Sequence, residues 1–113
     1  TRSPVCALVF VRVRRELERQ GAELSYADFR DVDFSGLNLE HTRFNRTLLS
    51  GALFTECQLA YAEFNSAVAD TADFYGADAT RSQASNADFR GANWDDVTSY
   101  FCDFTGSQFW GDP

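Results

Sequence analysis

The 113-residue chain has no lysine and no methionine, one histidine, two prolines and three cysteines. Each shortage excludes something. With His41 alone, and no cysteine or carboxylate cluster around it, neither a zinc site nor a His-based catalytic constellation can be assembled. The nearest acidic grouping, Asp95-Asp96 with Asp73, is a poor match to a hard-cation loop. No Ser or Cys sits in a nucleophile motif, and no glycine pattern resembles a phosphate-cradling loop. The chain is therefore expected not to be an enzyme and to need no cofactor or metal. Cys6, Cys57 and Cys102 form no CxxC pair and are expected as buried free thiols in a reducing cytoplasm, with a disulfide as the alternative. No apolar run approaches the roughly 18 residues of a membrane span. The short run 5–11 is followed rather than preceded by basic residues, which suits a signal peptide poorly. A cytoplasmic location without membrane attachment is the expectation, and a first residue of Thr reads as a trimmed chain or a piece of something longer.

Charge is scarce in one sign. Seventeen acidic residues face ten basic ones, all Arg, for a net −7, which argues against nucleic acid as a direct partner. The imbalance is local. Residues 1–21 hold five Arg and two Glu, a net +3, whereas residues 22–111 hold fourteen carboxylates and five Arg, a net −9. Asp112 adds one more negative charge.

What the chain does have is a period of five. Stepping from Leu24 gives Phe29, Phe34, Leu39, Phe44, Leu49, Phe54, Leu59 and so on to Phe104 and Phe109; fourteen of these eighteen positions are large and apolar. Two residues before each stands a small or modest side chain, from Ala22, Ala27 and Val32 to Cys102 and Ser107. A helix repeats near 3.6 and a strand at two, so neither explains this spacing. A chain that points two residues inward, turns, and repeats is winding about an axis, and stacked coils then bury a continuous core.

Units such as Ala27-Asp28-Phe29-Arg30-Asp31, Ala72-Asp73-Phe74-Tyr75-Gly76 and Ala87-Asp88-Phe89-Arg90-Gly91 closely resemble the pentapeptide-repeat family, whose motif reads A(D/N)(L/F)xx. The resemblance covers residues 22–111 and implies an all-β solenoid: a right-handed quadrilateral β-helix in which four units form one 20-residue coil. Eighteen units then make about four and a half coils, a rod of roughly 20 to 25 Å at the usual strand spacing. The family spans topoisomerase-binding DNA mimics and proteins of other roles, so it implies no single function.

Residues 1–21 read as an N-terminal cap, with 112–113 a short tail. Ser3-Pro4 suits a helix start, Gly21 a stop, and Arg14, Arg15 and Arg19 the negative end of the dipole. Val5, Val9, Val13 and Leu17 make one apolar stripe. The β-branched run 5–13 leaves a strand there as the alternative.

Laid out in columns of 20, the four sides differ. The third side stacks Phe34, Phe54, Phe74 and Trp94 inward and carries Asp33, Glu56, Asp73, Asp95 and Asp96 outward, with no basic residue. This acidic interaction strip suits a basic groove, or simply keeps the rod soluble. The carboxylates at the middle of each triplet, Glu23, Asp28, Asp33, Glu63, Asp73, Asp78, Asp88 and Asp103, are expected to bond nearby backbone N–H groups, Asp33 and Asp73 included. After the fourth side, His41, Tyr61, Arg81 and Phe101 fall in one column with Tyr100 alongside, an aromatic corner of interface-type residues. Leu48, Leu53 and Val68 read as scattered. Ala69, Ala79 and Ala84 predict looser packing in the third and fourth coils. Phe109 and Trp110 close the last unit, where an open strand edge invites end-to-end pairing into a homodimer.

The expected function is thus a non-catalytic interaction module binding a protein partner. A DNA-mimicking binder of a type II topoisomerase such as DNA gyrase is the alternative, although so short a rod spans only about six or seven base pairs. A spacer or stabilising domain of a larger protein is the third reading.

Overall fold

The computed structural model describes residues 21–112. The expected cap over 1–21, apart from Gly21, and the thiol of Cys6 lie outside the described residues.

The backbone is an all-β solenoid with a repeat of 20. Parallel bridges join Glu23 to Arg43, Asp28 to Leu48, Asp33 to Leu53 and Asn38 to Gln58, and the same register continues without a slip to Asp88 and Gln108. Four bridged residues per 20-residue turn give four short sides, each too brief to pair more than one residue deep. Phe34 donates its N–H to Leu53 O at 2.7 Å, and Leu53 returns its own N–H to Val32 O at 2.9 Å. From Leu24 to Phe89 each inward residue at the large position thus donates to the coil above it, and from Arg43 to Gln108 each outward bridged residue donates to the coil below.

Between sides the chain turns through a left-handed residue. All nineteen positions from 21 to 111 at spacing five have positive φ, and twelve of them are not glycine. Val32 N–H bonds Phe29 O across such a corner at 3.1 Å, and a positive φ at the third residue is what a type II turn requires. A non-glycine residue there costs about 1–2 kcal/mol, a cost offset by the coil-to-coil bonding that flanks it. Gly51 is at a corner where more than φ matters: a Cβ there would collide with Asp31 Oδ1 of the preceding coil.

Inside, the two inward residues of each unit make one cluster from Ala22 to Phe89. The coil spacing forces rings of one column face to face. Phe34, Phe54 and Phe74 stack at 5.0 Å, with Trp94 following at 4.4 Å. Rings of adjacent columns meet edge to face, as Phe54 does with Phe64 at 5.8 Å and 90°, the arrangement the ring quadrupole favours. Where Ala69 and Ala84 occupy inward positions, Phe89 fills in, reaching Phe74 at 5.8 Å and Phe64 at 6.5 Å. At the small inward position Cys57 donates to Phe34 O at 2.9 Å, Cys102 to Ala79 O at 2.7 Å, and Ser107 to Ala84 O, each a carbonyl of the coil below, whereas Thr47 bonds Phe44 O of its own coil at 2.6 Å and the buried Thr42 hydroxyl has no partner. Burial pushes the Cys57 thiol up to about 12, so it stays protonated and inert. Cys102 departs from the expectation of burial. It is half-buried, because no described coil stacks above it.

Candidate functional site

The outward residues are where function can reside. Asp or Asn at the middle of a unit accepts the N–H two residues on, as Asp28 does from Arg30, Asp73 from Tyr75, Asp78 from Thr80 and Asp103 from Thr105, at 3.0 to 3.2 Å. These carboxylates are turn caps, as expected. Hydrogen bonds from Arg30 and Arg90 hold Asp28 and Asp88 below the usual carboxylate range, and those from Thr105 do the same for Asp103. Glu63 departs from the pattern and meets Arg43 and Asn45 instead. In the middle coils of the first side the capping role passes to asparagine of the coil below: Asn45 Oδ1 accepts Asn65 N–H at 3.0 Å, and Asn65 Oδ1 accepts Ser85 N–H at 2.8 Å.

The acidic strip divides in two. Asp33 and Asp73 are half-buried caps that accept Ser35 and Tyr75 N–H at 2.9 and 3.0 Å. Glu56, Asp95 and Asp96 are exposed. They gather about Tyr75, whose phenol is pushed above its ordinary value by the hydrogen bond to Asp96, with the carboxylates of Glu56 and Asp95 beyond it. The Glu56 side chain also lies close over Gly76, 3.2 Å from where a Cβ would stand. Sequence reasoning overlooked Tyr75; its place one residue before the corner of the acidic side was the available signal.

The aromatic corner comes together as pairs. His41 stacks on Tyr61 at 4.8 Å and 5°, and the Arg81 guanidinium sits 4.7 Å over the Phe101 ring. Tyr61, Tyr100 and Phe101 remain 49%, 69% and 78% exposed, so the pairing leaves a ridge in solvent. Leu48 and Val68 are less scattered than expected. They are bridge partners in one column of the second side, with Leu53 on the next.

At the last coil, Phe109 and Trp110 take different roles. Phe109 is half-buried and stacks on Phe89 at 5.3 Å, whereas Trp110 is 88% exposed. Trp94, Phe104, Phe109 and Trp110 line an open depression of about 510 Å³. Among the described residues no group of three or more His, Cys, Asp or Glu is placed to hold a metal ion, and no helix is long and apolar enough to cross a membrane.

The family model described as pentapeptide repeats matches residues 20–51 and 47–83 with eight copies. No curated protein matches the sequence. Among solved structures, the chain is similar to the pentapeptide repeat protein Rfr23 from the cyanobacterium Cyanothece 51142, with a TM-score of 0.77 and 22% identity over 80% of this chain. It spans 63% of that protein's length. It is also similar to QnrB1, described as a plasmid-mediated fluoroquinolone resistance protein, with a TM-score of 0.58 and 19% identity over 84% of this chain and 68% of that one. Likeness at these identities speaks to the fold.

Proposed function

The chain belongs to the pentapeptide-repeat family, and from that premise we propose that it is a non-catalytic, cytoplasmic interaction module: a rigid acidic β-helical rod that binds a protein partner. The rod is about four and a half right-handed coils long, with 1–21 as its cap and 22–111 as its coil. The observation that carries the binding role is the aromatic ridge. Large rings held in register and left mostly in solvent are what interface cores are made of. Affinity capture from native extract tests it: a protein retained by the wild type and lost with Tyr100→Ser/Phe101→Ser is expected. Equal capture by both would remove the ridge from the account.

A second reading is favoured by the exposed Glu56, Asp95 and Asp96, which suit a basic groove of the kind a DNA-mimicking binder of DNA gyrase would enter. A supercoiling assay with wild type and Asp95→Arg/Asp96→Arg decides it; gyrase unaffected by either protein sinks the reading. The third, a spacer or stabilising domain of a larger protein, is what remains if neither surface binds. The half-exposed Phe109 and exposed Trp110 support end-to-end homodimerisation, for which light scattering must show a dimer that Trp110→Ser/Phe109→Ser returns to monomer.

A further inference from the structure

The ridge and the exposed carboxylates border the same side of the coil. The third side ends at a corner bearing Glu56 and Asp96, the fourth at a corner bearing Tyr61 and Phe101. Between them the fourth side presents Asn38, Gln58, Asp78 and Thr98 as its bridged outward residues. The ridge is not something the fold demands. Corner residues all have positive φ, where a bulky side chain is costly and glycine is not, and the neighbouring corner alternates Gly36, Glu56, Gly76 and Asp96. From 41 onward the fourth corner instead carries His41, Tyr61, Arg81 and Phe101. Non-glycine residues fill twelve of the nineteen corners, but the fourth is the one where rings and a guanidinium stack from coil to coil. His41 covers one face of Tyr61 and the Arg81 guanidinium one face of Phe101, so the ridge offers the rest of these rings as apolar contact area.

Building on the interaction-module reading, we propose that the fourth side is the docking face, and that its occupant is a basic segment of a partner protein carrying an aromatic or aliphatic anchor. Charge complementarity selects that occupant. Glu56, Asp95 and Asp96 stand along one border and Asp78 on the face itself, against one cation, Arg81, which lies over the Phe101 ring, while the ion pairs between described residues, Arg30 with Asp28, Arg43 with Glu23 and Glu63, and Arg90 with Asp88, fall on the first and second sides. Cations of the segment meet the carboxylate border, and its anchor lies against Tyr61, Tyr100 and Phe101, beside the polar middle of the side.

The test titrates a synthetic Arg/Trp peptide, with a Glu/Trp peptide as control, into the isotope-labelled full chain and follows the backbone amides. Shifts centred on Gln58, Asp78 and Thr98 are expected with the basic peptide alone. Tyr61→Gly/Phe101→Gly should weaken binding by about tenfold or more without lowering the melting temperature, because glycine relieves the corner. Glu56→Gln/Asp96→Asn should weaken it comparably and flatten its salt dependence. Shifts confined to other sides, unchanged affinity in either variant, or a sharp drop in melting temperature with the glycine pair would each overturn the proposal. If a native partner is captured through the ridge while the peptide maps elsewhere, the face assignment alone fails. Failure of capture with wild type as well as variant strikes the interaction-module reading itself.

Discussion

The middle coils and the last coil are built from the same kinds of residue at the same repeat positions, yet they are different environments. Phe54 is fully buried, stacked on Phe34 below and Phe74 above at 5.0 Å. Phe104 and Phe109 keep ring neighbours, with Phe89 at 5.8 and 5.3 Å, but are only half-buried. A solenoid coil is sealed by its neighbours and not by itself. One inward residue is therefore worth a full core residue in the middle and a fraction of one where no described coil lies above it.

The sharpest way to break this comparison is a matched truncation. Phe54→Ala should cost about 3–5 kcal/mol, enough to unfold most of so short a rod, whereas Phe104→Ala should cost roughly 1–2 kcal/mol, in line with its partial burial. Chemical denaturation of both variants checks it, and equal losses would mean that the last coil is as sealed as the middle. Next come the corners. Gly51→Ala should lose about 1–3 kcal/mol, since a Cβ meets Asp31 of the coil below. Gly36→Ala, with the same sign of φ but open space around it, should lose only the left-handed penalty of about 1 kcal/mol. Identical melting temperatures for the two would show that stacking adds nothing at corners.

Ala79→Leu probes the transition between the regions, in the column that tapers from Leu59 toward the exposed Ser99. If packing is loose there, stability should stay within about 1 kcal/mol of wild type in a thermal melt. A sharp fall would mean the site is already full. The smallest effect concerns pH. Glu23, Asp28, Asp88 and Asp103 all titrate below their ordinary values because they accept hydrogen bonds when folded. Their folded values lie under the unfolded ones of about 3.9 to 4.3, so their contribution is complete above that range. It is lost as pH falls through the folded values. Melting temperature should be flat from neutral pH to about 5 and decline below about 4. Asp28→Asn and Asp103→Asn should each soften that decline to a similar degree, because a turn cap is local and indifferent to stacking.

Much of the fold was legible before any coordinates. A five-residue apolar period in unbroken phase leaves few solutions, and the inward columns, the 20-residue register and the glycine corners are all in the structure. The surface was less legible. Asp33 and Asp73 were readable both as turn caps and as members of the acidic strip, and their bonds from Ser35 and Tyr75 N–H groups follow the first reading, whereas Glu63 leaves the expected turn for Arg43 and Asn45 of the coil below. Tyr75 was passed over because its meaning depends on Asp96, a full coil later in the chain. Leu48 and Val68 looked scattered until the bridge between them placed them in one column.

The sequence by itself determined the repeat, its register and the identity of the core, because burial of one large and one small side chain every five residues is a local and repetitive demand. Only the tertiary structure decided that Glu63 leaves the turn-cap pattern and that Glu56, Asp95 and Asp96 gather about Tyr75. It alone showed how the rings of the fourth corner pair, and how far each coil is sealed. Those properties belong to contacts between residues about 20 apart, where orientation and coverage by the neighbouring coil set the outcome.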